Sequence, residues 1–184
     1  MKKVLLVIVV TVLGLGKTNA QEVQFGVKGG LNFASINGDN SGKFDHVTSF
    51  NFGVMAEIPI STKFSFQPEL LYSRQGFSVG KNVNELNYLN IPLMGKYYLT
   101  EGLSLEAGPQ IGFLLSAKNK SIDVKDSFNK LDFGINLGIG YKLDNGLSFN
   151  ARYNQGLSNV NDVSGLTDKN RNGVFQVSVG YFFF

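Results

Sequence analysis

From residue 21 onward, apolar and polar residues alternate with a period of two. Over 131–143, Leu131, Phe133, Ile135, Leu137, Ile139, Tyr141 and Leu143 are interleaved with Asp132, Gly134, Asn136, Gly138, Gly140 and Lys142. Residues 103–115 repeat the pattern, setting Leu103, Leu105, Ala107, Pro109, Ile111, Phe113 and Leu115 against Ser104, Glu106, Gly108, Gln110, Gly112 and Leu114. A helix would spread these apolar residues around its circumference, whereas a strand gathers them on one face. Similar runs cover 23–35, 48–60, 63–77, 85–99, 147–157 and 173–184, so the pattern predicts eight strands. Their connections alternate in length. Ser61-Thr62, Thr100-Glu101-Gly102 and Asp144-Asn145-Gly146 read as tight turns, the last with an Asn-Gly hairpin signal. Long polar loops are expected near 36–47, 78–84, 117–130 and 158–172. Short turns at one end and long loops at the other predict an all-β, eight-stranded antiparallel up-and-down barrel.

Composition decides which face points outward. The apolar face is rich in Leu, Ile, Val and Phe and carries no charge along the middle of any strand. The opposite face is mostly Gly, Ser and Asn, and only 17% of the chain is charged. A water-facing wall would carry far more Lys and Glu, whereas small residues suit the crowded bore of a narrow barrel. The apolar face is therefore assigned to lipid, making the barrel transmembrane. Phe33, Phe50, Tyr72, Phe113 and Phe133 fall toward the loops, and Phe64, Tyr97, Tyr141, Phe149 and Tyr181 toward the turns, as two interfacial girdles would. Pro59, Pro68, Pro92 and Pro109 all lie inside predicted strands. Each removes a ladder donor, so local bulges are expected there.

Residues 1–20 are set apart as a cleaved signal peptide. Met1-Lys2-Lys3 is basic, Val4 to Gly16 is an apolar run of 13 residues, and Thr18-Asn19-Ala20 supplies small residues before a cut after Ala20. That run is shorter than the about 20 residues a spanning helix needs. The barrel domain then covers 21–184, and the basic pI loses its meaning. Of 17 basic residues, Lys2, Lys3 and Lys17 precede the cut, leaving 14 against 14 acidic ones. A net charge of zero gives no footprint for nucleic acid. The chain has no cysteine, which excludes disulfides, thiolate metal sites and a lipidated cysteine.

The alternation sends eight charges into the bore: Lys28, Lys96, Lys142 and Arg152 with Glu57, Glu69, Glu106 and Asp132. Isolated charges in a narrow interior are strongly penalised, so pairing into a plug of ion pairs is expected. Counting from the short turns sets Glu57, Lys96 and Glu106 at similar depth, with Glu69 and Arg152 slightly higher. No catalytic, cofactor or metal residues are assigned. His46 is the single histidine, placed in or beside a loop, and no serine motif marks a partner for it. Asp168-Lys169-Asn170-Arg171-Asn172-Gly173 opens like a calcium loop, but Val179 stands where the bidentate Glu belongs. Gly29-Gly30 and Gly138/Gly140 are strand glycines rather than phosphate cradles, because no helix follows them.

Gln67-Pro68-Glu69-Leu70-Leu71-Tyr72-Ser73, Tyr88-Leu89-Asn90-Ile91-Pro92-Leu93, Val177-Ser178-Val179-Gly180-Tyr181-Phe182-Phe183 and the opening Phe25-Gly26-Val27-Lys28-Gly29-Gly30-Leu31-Asn32 resemble the outer-membrane β-barrel family abundant in Bacteroidetes, often labelled porin family or PorT-like. The resemblance implies an eight-stranded barrel like OmpX and the OmpA membrane domain, with both termini periplasmic. It also implies insertion by the barrel-assembly machinery and a monomer among outer-membrane lipids, without cofactor or catalytic residues. Members commonly end on a lipid-facing aromatic preceded by Tyr two positions earlier; here Tyr181 and Phe183 fit, and Phe184 is one residue extra. The expected role is structural or surface-interacting through the external loops, with an extracellular or secretion-system protein as a possible partner. The alternatives are a narrow porin-like channel and an accessory of secretion.

Overall fold

The computed structural model describes residues 22–38, 45–80, 82–160 and 170–183. The expected leader, Asp168 of the calcium-like motif and Phe184 lie outside them. The strands are β1 (Gln24–Gly38), β2 (Asp45–Pro59), β3 (Phe64–Val79), β4 (Asn82–Tyr98), β5 (Leu103–Asn119), β6 (Ile122–Asp123), β7 (Leu131–Lys142), β8 (Leu147–Gly156) and β9 (Asn170–Phe183). All pairings are antiparallel. Successive long strands pair, β7 joining β5 across the short β6, and β1 pairs with β9, which closes a barrel of eight long strands. β6 is a two-residue strand added to the outer end of β5, followed by a single 3-10 turn at Lys125–Ser127. The eight-stranded antiparallel expectation is borne out.

The face assignment follows directly from exposure. Leu31, Val54, Leu105, Leu137, Ile139 and Val177 are exposed on the outer wall, while Asn32, Gln67, Asn90, Asn136 and Asn154 are buried inside. A barrel dissolved in water would reverse this arrangement. Aromatic rings stand on the same outer wall, with Phe50, Phe52 and Tyr72 clustered across β2 and β3 and Tyr181 against Phe183 at 5.7 Å between ring centres.

Two local expectations need correction. The strands run further at the loop end than the alternation suggested. β3 runs to Val79 and β4 starts at Asn82, with Gly80 at φ 57°, where a loop over 78–84 was expected. β5 continues to Asn119, β2 begins at Asp45, and β9 begins at Asn170, so Asn170 and Asn172, expected in the polar loop over 158–172, are strand residues. The cause is a swap of polarity. Beyond the apolar belt, the outer wall carries Arg74, Glu85, Asn87 and Ser116, while Ile36, Phe77, Leu86, Tyr88, Leu114 and Ala117 pack inside with Phe128 and Val160. An apolar-outward template cannot follow a strand through that inversion.

Second, Pro68, Pro92 and Pro109 cause no bulge. Pairing passes from Pro68↔Leu93 to Leu71↔Asn90, and from Pro92↔Gln110 to Gly95↔Ala107, without change of register. Register slips instead between His46 and Asn51 of β2, and between Asn87 and Tyr88 of β4. His46 stands exposed as the second residue of β2, opposite Phe77.

Leu137 sits midway along β7 on the lipid face, 61% exposed. Leu137→Arg is expected to lower stability by about 2–4 kcal/mol in urea titrations of the bilayer-inserted protein. Ser116→Arg, above the apolar belt, should change it little.

Candidate functional site

The bore is the best-defined site. Each long strand sends every second side chain inward, and the turns set the depth at which those side chains meet. β1 supplies Lys28, β2 Glu57, β3 Gln67 and Glu69, β4 Lys96 and Tyr98, β5 Glu106, β7 Lys142 and β8 Asn150 and Arg152. Lys28, Glu57, Glu69, Lys96, Glu106 and Arg152 are each no more than 4% exposed.

These groups form one continuous chain of contacts. Lys28 Nζ lies 3.3 Å from both oxygens of Glu69. Arg152 grips Glu69 with two parallel hydrogen bonds, Nη1 to Oε2 at 3.0 Å and Nη2 to Oε1 at 2.9 Å. Its Nη2 also donates to Glu106 Oε2 at 3.0 Å. Lys96 Nζ is 3.8 Å from Glu106 Oε1 and 3.3 Å from Glu57 Oε2. Lys142 closes the chain, donating to Glu57 Oε2 at 3.1 Å and to Gln24, with its ammonium 4.3 Å from the centre of the Phe182 ring. Neutral groups add to the shell, although Arg152 Nε is left without a partner. Gln67 Nε2 donates to Glu69 at 2.7 Å, Asn150 Nδ2 to Glu106 at 2.8 Å, and Tyr98 OH to Glu57. Charges taken out of water are tolerated only when their remaining donors and acceptors are matched in this way.

Glycine makes the room. A Cβ on Gly140 would run into the Glu106 carboxylate and the Asn150 amide, and one on Gly138 would stand 2.6 Å from Arg152 Cβ. The glycines that read as strand filler are therefore the spaces in which the ion pairs lie.

Of the eight charges expected inside, seven belong to this chain. Asp132 stands apart. Its partner is Asn172, whose Nδ2 donates to Oδ2 at 2.9 Å, and among the described residues no Lys or Arg forms an ion pair with it. Toward the loops the bore is capped by the apolar cluster of Ile36, Phe77, Leu86, Tyr88, Leu114, Phe128 and Val160. Toward the turns it widens into a vestibule of about 530 Å³, with Glu57, Tyr98 and Lys142 at its floor and Lys63, Glu101 and Asp144 on its rim.

Asn32 is a residue the sequence reading passed over. Where β2 and β3 slip register, its Nδ2 donates to Ser73 Oγ at 3.0 Å and to the carbonyls of Phe50 and Arg74 at 3.1 and 2.7 Å. Its Oδ1 accepts from Asn51 and Gln176 at 2.6 and 2.9 Å. A side chain thus takes over the backbone pairing that the slip interrupts. Its inward position in β1 was visible in the alternation, but the slip that needs it was not.

The model of the family described as outer membrane protein beta-barrel domain matches residues 19–162. The attachment invasion locus protein Ail of Yersinia pestis superposes with a TM-score of 0.54 at 14% identity, over 89% of this chain and 100% of that one. Neisserial surface protein A superposes with a TM-score of 0.59 at 14% identity, over the same shares of the two chains. At such identity the likeness speaks for the fold alone. No curated protein sequence matches.

Arg152→Met would leave Glu69 and Glu106 without their shared guanidinium, and is expected to cost about 3–5 kcal/mol in urea unfolding. Arg152→Lys should recover only part of that loss, because one ammonium cannot reproduce the two-pronged grip.

Proposed function

Because the chain belongs to the outer membrane protein beta-barrel domain family, we propose that it serves as a structural and surface-interacting protein whose bore is plugged and whose external loops carry any specific contact. It is a bacterial outer membrane β-barrel. The observation that carries the plug is the unbroken run Lys28–Glu69–Arg152–Glu106–Lys96–Glu57–Lys142 across the bore. Seven interlocked charges on strands β1 to β8 occupy the space an ion path would need, and eight strands leave little spare width. The apolar cap lies above them as a second obstacle, since dry hydrocarbon side chains resist passage of hydrated ions.

The remaining parts of the reading follow the fold's usual insertion. Residues 1–20 act as a signal peptide cut after Ala20, both termini lie in the periplasm, and the chain is a monomer in outer-membrane lipid. Tyr181 and Phe183, exposed on the last strand, are the pair read by the barrel-assembly machinery. The segment between β5 and β7 offers a partner exposed Ile122, with polar neighbours Lys120, Asp123 and Asp126, on the outer side. We place the chain in the Bacteroidetes branch on the motifs quoted above, with a PorT-like role in secretion as one form of partner contact.

In planar bilayers, wild-type protein is expected to pass no steady current, and Arg152→Ala or Glu106→Ala to admit one. Steady wild-type currents that neither substitution alters would favour a narrow channel and sink the plug. For assembly, Phe183→Ala should reduce the amount of folded protein in outer membranes while deletion of Phe184 should not; the opposite pattern would overturn the assignment of Phe183.

A further inference from the structure

Where the lipid-facing wall ends toward the loops, β1, β9 and β8 carry a polar cluster outside the bore. The wall changes there in rows. Leu31, Val177 and Ala151 stand side by side on the outer face. Two residues nearer the loops, Phe33, Phe175 and Tyr153 form an aromatic row, exposed to 38%, 43% and 40%. Aromatic rows of this kind mark the depth at which acyl chains give way to headgroups.

Gly173 lies in the next row, and its missing side chain leaves a recess. Asn37 reaches across it from β1, its Nδ2 donating to Tyr153 OH at 2.7 Å and to Gln155 Oε1 at 3.2 Å on β8. A Cβ on Gly173 would run into that amide and stand 2.8 Å from Tyr153 OH. Arg171 is the register partner of Asn37 and is exposed on the same face.

Charge sets this arginine apart. On the outer wall of β8, β9 and β1 it is the only charged residue, and among the described residues it forms no ion pair. Arg74, the other arginine of the outer wall, is by contrast paired with Glu85. A lone cation beside the headgroup layer selects an anionic headgroup. The guanidinium presents a flat fork of donors that matches two oxygens of one phosphate. The apolar and aromatic rows beneath it supply a surface for acyl chains.

We propose that this face binds the phosphate of a membrane lipid, held by Arg171 beside the Asn37–Tyr153–Gln155 cluster, with the acyl chains along Phe33 and Phe175. The site lies on the strand wall, apart from the bore plug and the loop contacts, so its failure would leave that reading untouched.

The test places the full chain in phosphatidylcholine nanodiscs with increasing mole fractions of phosphatidic acid, a lipid whose headgroup is a bare phosphate, and follows amide resonances by NMR. The side-chain amides of Asn37 and Gln155 and the backbone amide of Gly173 should shift saturably. Arg171→Gln, on the exposed surface, should weaken the apparent affinity about tenfold, and Gly173→Ala, which displaces the Asn37 amide, should weaken it as well. Arg74→Gln should leave it unchanged. Inorganic phosphate added to pure phosphatidylcholine nanodiscs should move none of these resonances, because it lacks the acyl chains. Unmoved wild-type resonances, or shifts undiminished in Arg171→Gln, would overturn the site. An equal loss in Arg74→Gln would reduce it to general surface charge, and an equal response to inorganic phosphate would overturn the lipid as its ligand.

Discussion

Backbone hydrogen bonding in hydrocarbon is the constraint on which the rest of the structure depends. A lipid-embedded strand cannot leave its N–H and C=O groups to water, so an open sheet edge is not tolerated and the sheet must close on itself. The pairing of β1 with β9 performs that closure over fourteen registered residue pairs, from Phe25↔Phe183 to Gly38↔Asn170. Closing with eight strands then fixes a narrow bore, and the bore dictates its contents. Small residues line much of it, and the large side chains that remain must mesh. This is why Gly138 and Gly140 leave room for Arg152 and Glu106, and why Asn32 is recruited where β2 and β3 slip register.

The wall also records the boundary of its solvent. Within the bilayer the outer face is apolar and the inner face polar. Past the level of Arg74 and Glu85 the arrangement reverses, with a surface ion pair outside and Phe77, Leu86, Tyr88 and Leu114 inside. The same eight strands are thus a membrane protein along most of their length and a water-soluble barrel at their outer end. The polar bore and the apolar cap belong to these two halves. Each follows the rule that whichever side does not face the solvent must complement the other side chains it meets.

Much of this was legible in the residues, and the failures have physical causes. Strict alternation in β5 and β7 made the strands and their inward rows readable, because the lipid face admits hardly any polar residue. The outer ends of β3, β4 and β9 were not readable, because the alternation there inverts and resembles a polar loop. The prolines misled in another way. A missing N–H leaves a gap in the ladder without requiring an extra residue, and Pro68 and Pro92 sit in such gaps with register intact. The inward direction of Asp132 was visible, but its separation from the other seven charges was not. Alternation tells which face a residue takes, while the neighbours it meets across the bore depend on strand tilt and stagger.

The chain of ion pairs has a consequence for how the molecule comes together. Most of its links join residues far apart in sequence: Lys28 reaches Glu69 across 41 positions, and Arg152 reaches the same carboxylate across 83. Of the hairpins only β4–β5 pairs inward charges of its own, Lys96 with Glu106, so a partly assembled sheet still carries bare carboxylates and ammonium groups on the face that is to become the interior. Burial becomes favourable only when β8 has delivered Arg152 and β9 has met β1. The interior therefore couples folding to closure: a half-built sheet keeps most of its inward charge bare, and the links that neutralise it form as the barrel closes.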